Sequence, residues 1–359
     1  MKNILLTSSC FSARILISVR FGIVIFFKLH RPMKSWQADL LILLAALIWG
    51  VSYVFTYWGL SAAPPATLLL SRFLVGLLIT LLVFGRYMFG IDRVMLRQGL
   101  ILGSLFGTGY LLQSYAIQFT EISKASFITS LVLPATPIVS FFVLHKKISA
   151  WNIFGVLIAI CGVSLLVEVD FRNLFSSVKL GDLFALISIP FWAFYMNYID
   201  IFTSDKEGTA NTAKMLALQF CGAIPVLLAA MFLFEMNLFP QIVDAMSRGV
   251  GPEFAENVKT TLGKGIHFSN PNFWVSILFN GILASFALTL IQTSAQKYTT
   301  PVKAMLIFQF EPITATAVAF FLIEPYFTAW MGLGAVIIIC GVLFSELGGM
   351  IFSRKAKEA

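Results

Sequence analysis

Two ionisable side chains lie deep inside apolar stretches of this 359-residue chain: Arg72 within 40–85 and Glu311 within 304–323. A charge in such surroundings is costly and almost always faces a partner or a wet cavity. Arg72 suits an anionic group such as a carboxylate, and Glu311 suits an ammonium or a coupling proton. The plainer reading is a structural ion pair, and Arg72 can also snorkel toward the interface. A second set is polar: Gln113, Gln292, Gln309, Asn280, Asn197, Thr129 and Ser130. Buried amides and hydroxyls need partners, supplied by neighbouring helices or by a ligand. A third set is aromatic: Trp49, Tyr53, Trp192 and Tyr195 stack on cationic or apolar parts of a solute, or simply pack. The histidines His30, His145 and His267 are scattered, the four cysteines lack metal-ligand spacing, and no Gly-rich phosphate loop occurs.

The elements that must position these residues are membrane helices. Hydrophobic residues make up 58% of the chain and charged residues 12%, with 36 Phe. No soluble globule buries that much apolar surface behind so few charges. This excludes soluble enzymes, secreted disulfide scaffolds and disordered regulators. A span needs about 20 apolar residues, and reading between charges gives ten. Two lie in 40–85, divided by Pro64-Pro65. The others are 98–120, 125–145, 148–167, 183–199, 215–234, 273–296, 304–323 and 325–345. Arg72 then sits roughly 10 Å in from one face, and Glu311 near the middle of the ninth helix. The net charge of +8 is read as basic residues collecting in cytoplasmic loops, not as nucleic-acid binding. With the segment before Asp39 inside, the inner segments carry about twice the Lys and Arg of the outer ones. Both termini are therefore expected in the cytoplasm, with the chain multi-pass in a plasma membrane of the bacterial inner-membrane type.

The chain also repeats itself. Asp39 and Trp49 match Asp182 and Trp192 at an offset of 143. Gln113, Thr120, Lys124, Trp151, Gly155, Cys161 and Gly162 match Gln292, Thr299, Lys303, Trp330, Gly334, Cys340 and Gly341 at an offset of 179. The first repeat covers 39–168 and the second 180–351, with an external insertion near 237–272 and a cytoplasmic tail at 352–359. Residues 1–38 form a basic N-terminal segment. It reads as a signal-like stretch, a surface-lying helix or an extension from an upstream start, with Met33-Lys34 the working start. Five helices per repeat is an odd number, so the second repeat enters the membrane inverted. The expected fold is thus an all-α integral membrane protein of ten transmembrane helices in two inverted five-helix repeats. Such repeats mark secondary transporters, whose site lies near the midplane between the halves. Paired glycines seven apart on the fifth and tenth helices read as packing surfaces. Pro134, Pro137, Pro190 and Pro312 read as bending points.

Ordered motifs add a resemblance. Ala38-Asp39-Leu40 with Ala46-Leu47-Ile48-Trp49-Gly50, Pro64-Pro65 with Ser71-Arg72-Phe73, Lys124-Ala125-Ser126-Phe127-Ile128-Thr129-Ser130 with Thr136-Pro137, and Glu311-Pro312 with Glu324 resemble the EamA-type drug/metabolite transporters across about 38–350. Two features depart from that pattern: His145-Lys146-Lys147 replaces the acid that closes the fourth helix, and the insertion is longer. The resemblance implies a ten-helix carrier of small organic metabolites, amino-acid-like or drug-like, often an exporter. No cofactor is expected, with a proton as the candidate coupling ion. The expected partners are a small-molecule substrate, the lipid bilayer and a second copy in a candidate homodimer. The rival readings are a non-transporting sensor or assembly scaffold and, behind it, a membrane-embedded enzyme.

Overall fold

The computed structural model describes residues 34–145, 149–168, 178–203, 209–235, 265–295, 298–299, 304 and 307–358. The N-terminal segment before Lys34, most of the insertion near 237–272, Lys146-Lys147 and Lys303 lie outside the described residues. Every regular element among those described is helical: α1 Ser35–Leu60, α2 Pro65–Phe84, α3 Arg93–Phe119, α4 Ile122–Thr129, α5 Val132–Leu144, α6 Ala150–Leu166, α7 Leu180–Thr203, α8 Thr209–Ala230, α9 Pro271–Leu278, α10 Leu288–Ala295, α11 Phe310–Leu322 and α12 Ala329–Glu358. A π-helical stretch, Phe279–Ala287, joins α9 to α10, and another, Met231–Glu235, ends α8. Among the described residues, seven helical stretches are long and apolar enough to cross a membrane, two of them, Ile122–Val143 and Pro271–Gln292, running through the α4–α5 turn and the π-helical stretch. Three shorter apolar helices stand where the fifth, ninth and tenth spans were expected: Ala150–Leu166, Phe310–Leu322 and Ala329–Ser345. The segment expected to be a tail continues α12 as helix to Glu358. Outward faces carry large apolar side chains such as Leu82, Phe142, Phe321 and Trp330, a surface suited to hydrocarbon and not to water.

Two of the expected spans are broken. Ser130 and Leu131 form a turn between α4 and α5, and Gln309 forms one ahead of α11. Each break lies just before a proline, Pro134 or Pro312. A proline lacks the N–H that would bond four residues back, and its ring clashes with that carbonyl. Ser130 and Gln309 are 179 positions apart, so the two breaks fall at matching places in the repeat. Glu311 therefore occupies the first turn of α11 and not the middle of a continuous helix. A negative charge is favoured there by the helix dipole. Pro137 and Pro190, by contrast, lie inside continuous helices.

The principal packing joins the first half of the chain to the second. α6 lies against α12, α3 against α8 and α7, α1 against α11, α2 against α8 and the longer π-helical stretch, and α5 against α7. On α6 and α12 the glycines meet backbone to backbone. A Cβ on Gly155 would fall 2.6 Å from the Gly341 carbonyl, and one on Gly162 would fall 2.8 Å from that of Gly334. Gly103 and Gly222 allow the same closeness between α3 and α8. Where apolar burial drives little between helices in lipid, such contacts supply packing.

Carboxylates tie the helix ends across the halves. Glu235 accepts the amides of Ala66 (2.6 Å) and Thr67 (2.9 Å) and the Thr67 hydroxyl (2.7 Å), capping the Pro-initiated α2. Glu324 accepts the Ile122 amide at 2.7 Å, capping α4. The Thr120 hydroxyl donates to Asp182 at 2.7 Å, and that of Thr299 donates to Asp39. Asp39 and Asp182 match at offset 143 and Thr120 and Thr299 at 179, so the same pair is made twice with the halves exchanged. Beside Thr120, Glu121 pairs with Lys179 at 2.5 Å and Lys124 at 3.3 Å.

Two outcomes follow from this packing. Gly155→Val would press into Gly341 and Ser345, and overpacking of this kind costs about 1–3 kcal/mol. Thermal unfolding of the detergent-purified variant should show a lowered Tm, whereas Gly85→Ala, at a site with open space, should leave it unchanged. Burial alone would raise the Glu121 carboxyl. The hydrogen bond from Lys179, its backbone hydrogen bond and the charges of Lys124 and Lys179 outweigh that and hold it at about 2 instead of 4.5. A lowered carboxylate stabilises the fold above its ordinary value and loses this effect as pH falls toward the folded value. Wild type should therefore melt above Glu121→Gln at pH 6, and the gap should close between pH 4.5 and 2. A gap that stays constant with pH would show that the Glu121 charge contributes nothing.

Candidate functional site

The paired helix breaks open onto a cavity of about 120 Å³ that is partly open to the outside. Each wall is a helical stripe of residues three or four apart, the spacing that places side chains on one face. α1 contributes Trp49, Ser52 and Tyr53. α3 contributes Phe106, Tyr110 and Gln113, and α7 contributes Trp192, Tyr195 and Met196. Ser126, Thr129, Ser130 and Leu133 come from the first break, Phe308, Glu311 and Pro312 from the second, and Thr289 and Gln292 from α10. The cavity thus draws on both halves of the chain, with Trp49 and Trp192, and Gln113 and Gln292, as repeat-related pairs.

Its polar groups are linked. The Gln113 amide donates to the Tyr53 hydroxyl at 2.5 Å, and Tyr53 stands within electrostatic range of the Glu311 carboxylate. An amide that fixes a phenol beside a carboxylate leaves that carboxylate un-neutralised. Among the described residues no cation lies within ion-pair distance of Glu311. On α1, Gly50 permits this arrangement: a Cβ there would fall 2.6 Å from the Glu311 carbonyl, so α1 and the start of α11 are in backbone contact. Trp49 Nε1 donates to the Ala284 carbonyl at 3.0 Å, where the π-helical register presents an acceptor to the cavity wall.

The opposite wall is aromatic. Tyr110 meets Phe106 at 4.7 Å and Trp192 at 4.9 Å, both edge-on, the arrangement favoured by ring quadrupoles. Gly109 lets Trp192 approach, since a Cβ there would fall 2.9 Å from the indole. Trp192 Nε1 is buried beside Gly109 and has no hydrogen-bond partner among the described residues.

Nine of the thirteen residues singled out from sequence line this cavity: Glu311, Trp49, Tyr53, Gln113, Thr129, Ser130, Trp192, Tyr195 and Gln292. Four do not. Asn197 bonds the carbonyls of Thr136 (3.2 Å) and Ala193 (2.8 Å) and the Ser140 hydroxyl, joining α7 to α5. Asn280 reaches the Thr56 and Ser276 hydroxyls at 3.3 and 3.4 Å, between α1 and the π-helical stretch. Gln309 is the turn residue of the second break, buried with both amide atoms unpartnered. Arg72 lies outside the lining and does not meet Glu311, because α2 turns it toward the π-helical stretch, where its Nε donates to Ser285 at 2.8 Å. Sequence reasoning passed over Ser52, Phe106, Tyr110, Ser126, Thr289 and Phe308. All six lie three or seven residues from a residue it named, Phe308 across the turn at Gln309, so extending each named residue by the helical spacing finds them.

A family model described as the EamA-like transporter family matches residues 36–168 and 260–347. The uncharacterized transporter YoaV of Bacillus subtilis (strain 168) is 23% identical over 325 residues, covering 88% of this chain and 97% of that protein. An uncharacterized transporter of Archaeoglobus fulgidus is 25% identical over 313 residues, covering 86% and 87%. A solved crystal structure of a protein 16% identical to this one shares its fold, with a TM-score of 0.55 over 88% of this chain and 98% of that one. Apolar helices of membrane-crossing length, a cavity between the two halves of the chain and this family match agree: the chain is a multi-pass membrane protein and belongs to the EamA-like transporter family.

Proposed function

We propose that this protein is a secondary carrier that exports small organic metabolites, amino-acid-like or drug-like, by alternating access between two inverted five-helix repeats. The observation that carries the reading is the cavity itself. It lies where two helices break at repeat-related positions, it is walled by repeat-related residues from both halves, and it holds one carboxylate, Glu311. Discontinuous helices around a site between repeats are the usual architecture of secondary transporters. The exchanged Thr120–Asp182 and Thr299–Asp39 pairs support a two-fold relation between the halves. The three shorter apolar helices support a count of ten spans, an even number that puts both termini on one side, and the excess of Lys and Arg in the inner segments favours the cytoplasmic side of a plasma membrane of the bacterial inner-membrane type.

In this scheme Glu311 takes the cationic group of the solute or the coupling proton, and Tyr53 and Gln113 hold its carboxylate toward the cavity. Rocking of the halves breaks and remakes the capping contacts of Glu235 and Glu324, which join helices from opposite repeats. The chain itself performs no covalent chemistry.

Counterflow and pH-gradient uptake in proteoliposomes, with a mixed panel of labelled metabolites, tests this reading. Wild type should accumulate one solute class. Glu311→Gln should reduce that flux at least tenfold while the protein elutes as a single folded species. Equal flux in the variant would remove Glu311 from the mechanism. Tight binding of a solute with no counterflow would replace the carrier with a sensor.

A further inference from the structure

Arg72 is a buried charge that the cavity lining does not include. It is 3% exposed. Among the described residues no carboxylate lies within ion-pair distance of it. Its Nε is held by Ser285, and its Nη2 has no partner. What it does face is aromatic: the guanidinium carbon lies 4.5 Å from the centre of the Tyr110 ring and 5.7 Å from that of Phe73. Tyr110 lines the cavity, so the cation lies behind a ring that a solute would meet from within. Glu311 lines the same cavity, and Tyr110 lies within electrostatic range of both charges. The space between is therefore polarised, with a carboxylate at one wall and a guanidinium, screened by one ring, behind another.

A cation on one face of an aromatic ring engages the negative face of its quadrupole, and a second cation brought toward the ring meets a like charge in a low-dielectric setting. An electron-rich or anionic group on that side is attracted instead. Arginine keeps its charge even when buried, so this bias is permanent. We infer that Arg72, acting through Tyr110, is the specificity-determining residue that makes the cavity prefer a dipolar solute, with its ammonium at Glu311 and its anionic end toward Tyr110, over a monocationic amine of the same body. This rests on the proposed carrier function in taking the cavity as the solute site. It assigns Arg72 a role without contact: the residue positions no atom of the solute and sets the potential of one wall.

Competition binding to the full-length protein in nanodiscs tests this, using matched probes that differ by one carboxylate: phenylalanine against 2-phenylethylamine, tryptophan against tryptamine, leucine against isoamylamine. Wild type should prefer the zwitterion of at least one pair. Arg72→Met should shift the amine-to-zwitterion affinity ratio about tenfold toward the amine, and Arg72→Lys, which keeps the charge, should stay near the wild-type ratio. Tyr110→Ala removes the intervening ring and should move the ratio the other way, which keeps the test open if Arg72→Met does not fold. Equal weakening of both members of a pair in Arg72→Met would overturn the proposal and reduce Arg72 to a packing role. So would a Tyr110→Ala ratio that shifts toward the amine. A wild type that binds no zwitterion of the panel also overturns it. Counterflow with the mixed panel then decides separately whether the carrier reading stands.

Discussion

The feature on which the rest of this structure depends is a missing backbone hydrogen bond, made twice. Pro134 and Pro312 each lack the N–H that would continue the helix ladder, and in each case the chain turns four or three residues earlier, at Ser130-Leu131 and at Gln309. In lipid an unsatisfied backbone is tolerated only where protein or a wet cavity covers it. The two breaks accordingly sit in the interior, and the cavity forms around them. Glu311 follows directly: as a first-turn residue it benefits from the dipole of α11, an advantage that a mid-helix position would not offer. The carboxylate most exposed to a solute is thus placed by a proline one residue further on.

The surrounding scaffold is built so that each half of the chain completes the other. α6 and α12 meet through glycine pairs at backbone distance, and the capping carboxylates Glu235 and Glu324 belong to one half while the helix ends they cap belong to the other. Alone, the first half would leave the starts of α2 and α4 without these carboxylates. Contacts of this kind are local and discrete, made of one carboxylate and one or two amides. In the proposed carrier they would part and re-form without disturbing the packing within a helix pair. A cavity lined from both halves needs that property if access to it is to alternate.

Within the cavity the walls differ in kind. The α1–α11 side presents a carboxylate beside a phenol that an amide holds in place. The α3–α7 side presents edge-on rings with a guanidinium behind them. Shape alone would allow many small solutes, and in the proposed carrier the difference in potential between the walls would distinguish among them.

Much of this was legible in the residues. Composition and the spacing of charges determine a helical membrane protein, because in lipid only helices and closed barrels satisfy the backbone, and uninterrupted apolar runs of about 20 residues suit helices. Fixed offsets of 143 and 179 pair Trp49 with Trp192 and Gln113 with Gln292, and all four line the cavity. Proline positions marked the bends at Pro134 and Pro312 but marked Pro137 and Pro190 equally, and those two sit in unbroken helices. Local chemistry is the same at all four, and only the neighbours that cover the freed carbonyls decide. Arg72 shows the limit most clearly. Its depth follows from counting residues, but which way its helix turns depends on Gly281 letting the π-helical stretch lie against α2 and on Ser285 being there to accept its Nε. Asn197 and Asn280 are polar and buried like Gln113, and whether each faces a helix or a cavity is settled by packing between segments far apart in sequence. The residues by themselves determined the elements, their duplication and the chemical inventory of the site. The tertiary structure decided which charge faces the cavity and which stands behind a ring, because that depends on helix rotation, which hydrophobic periodicity does not specify when nearly every face is apolar.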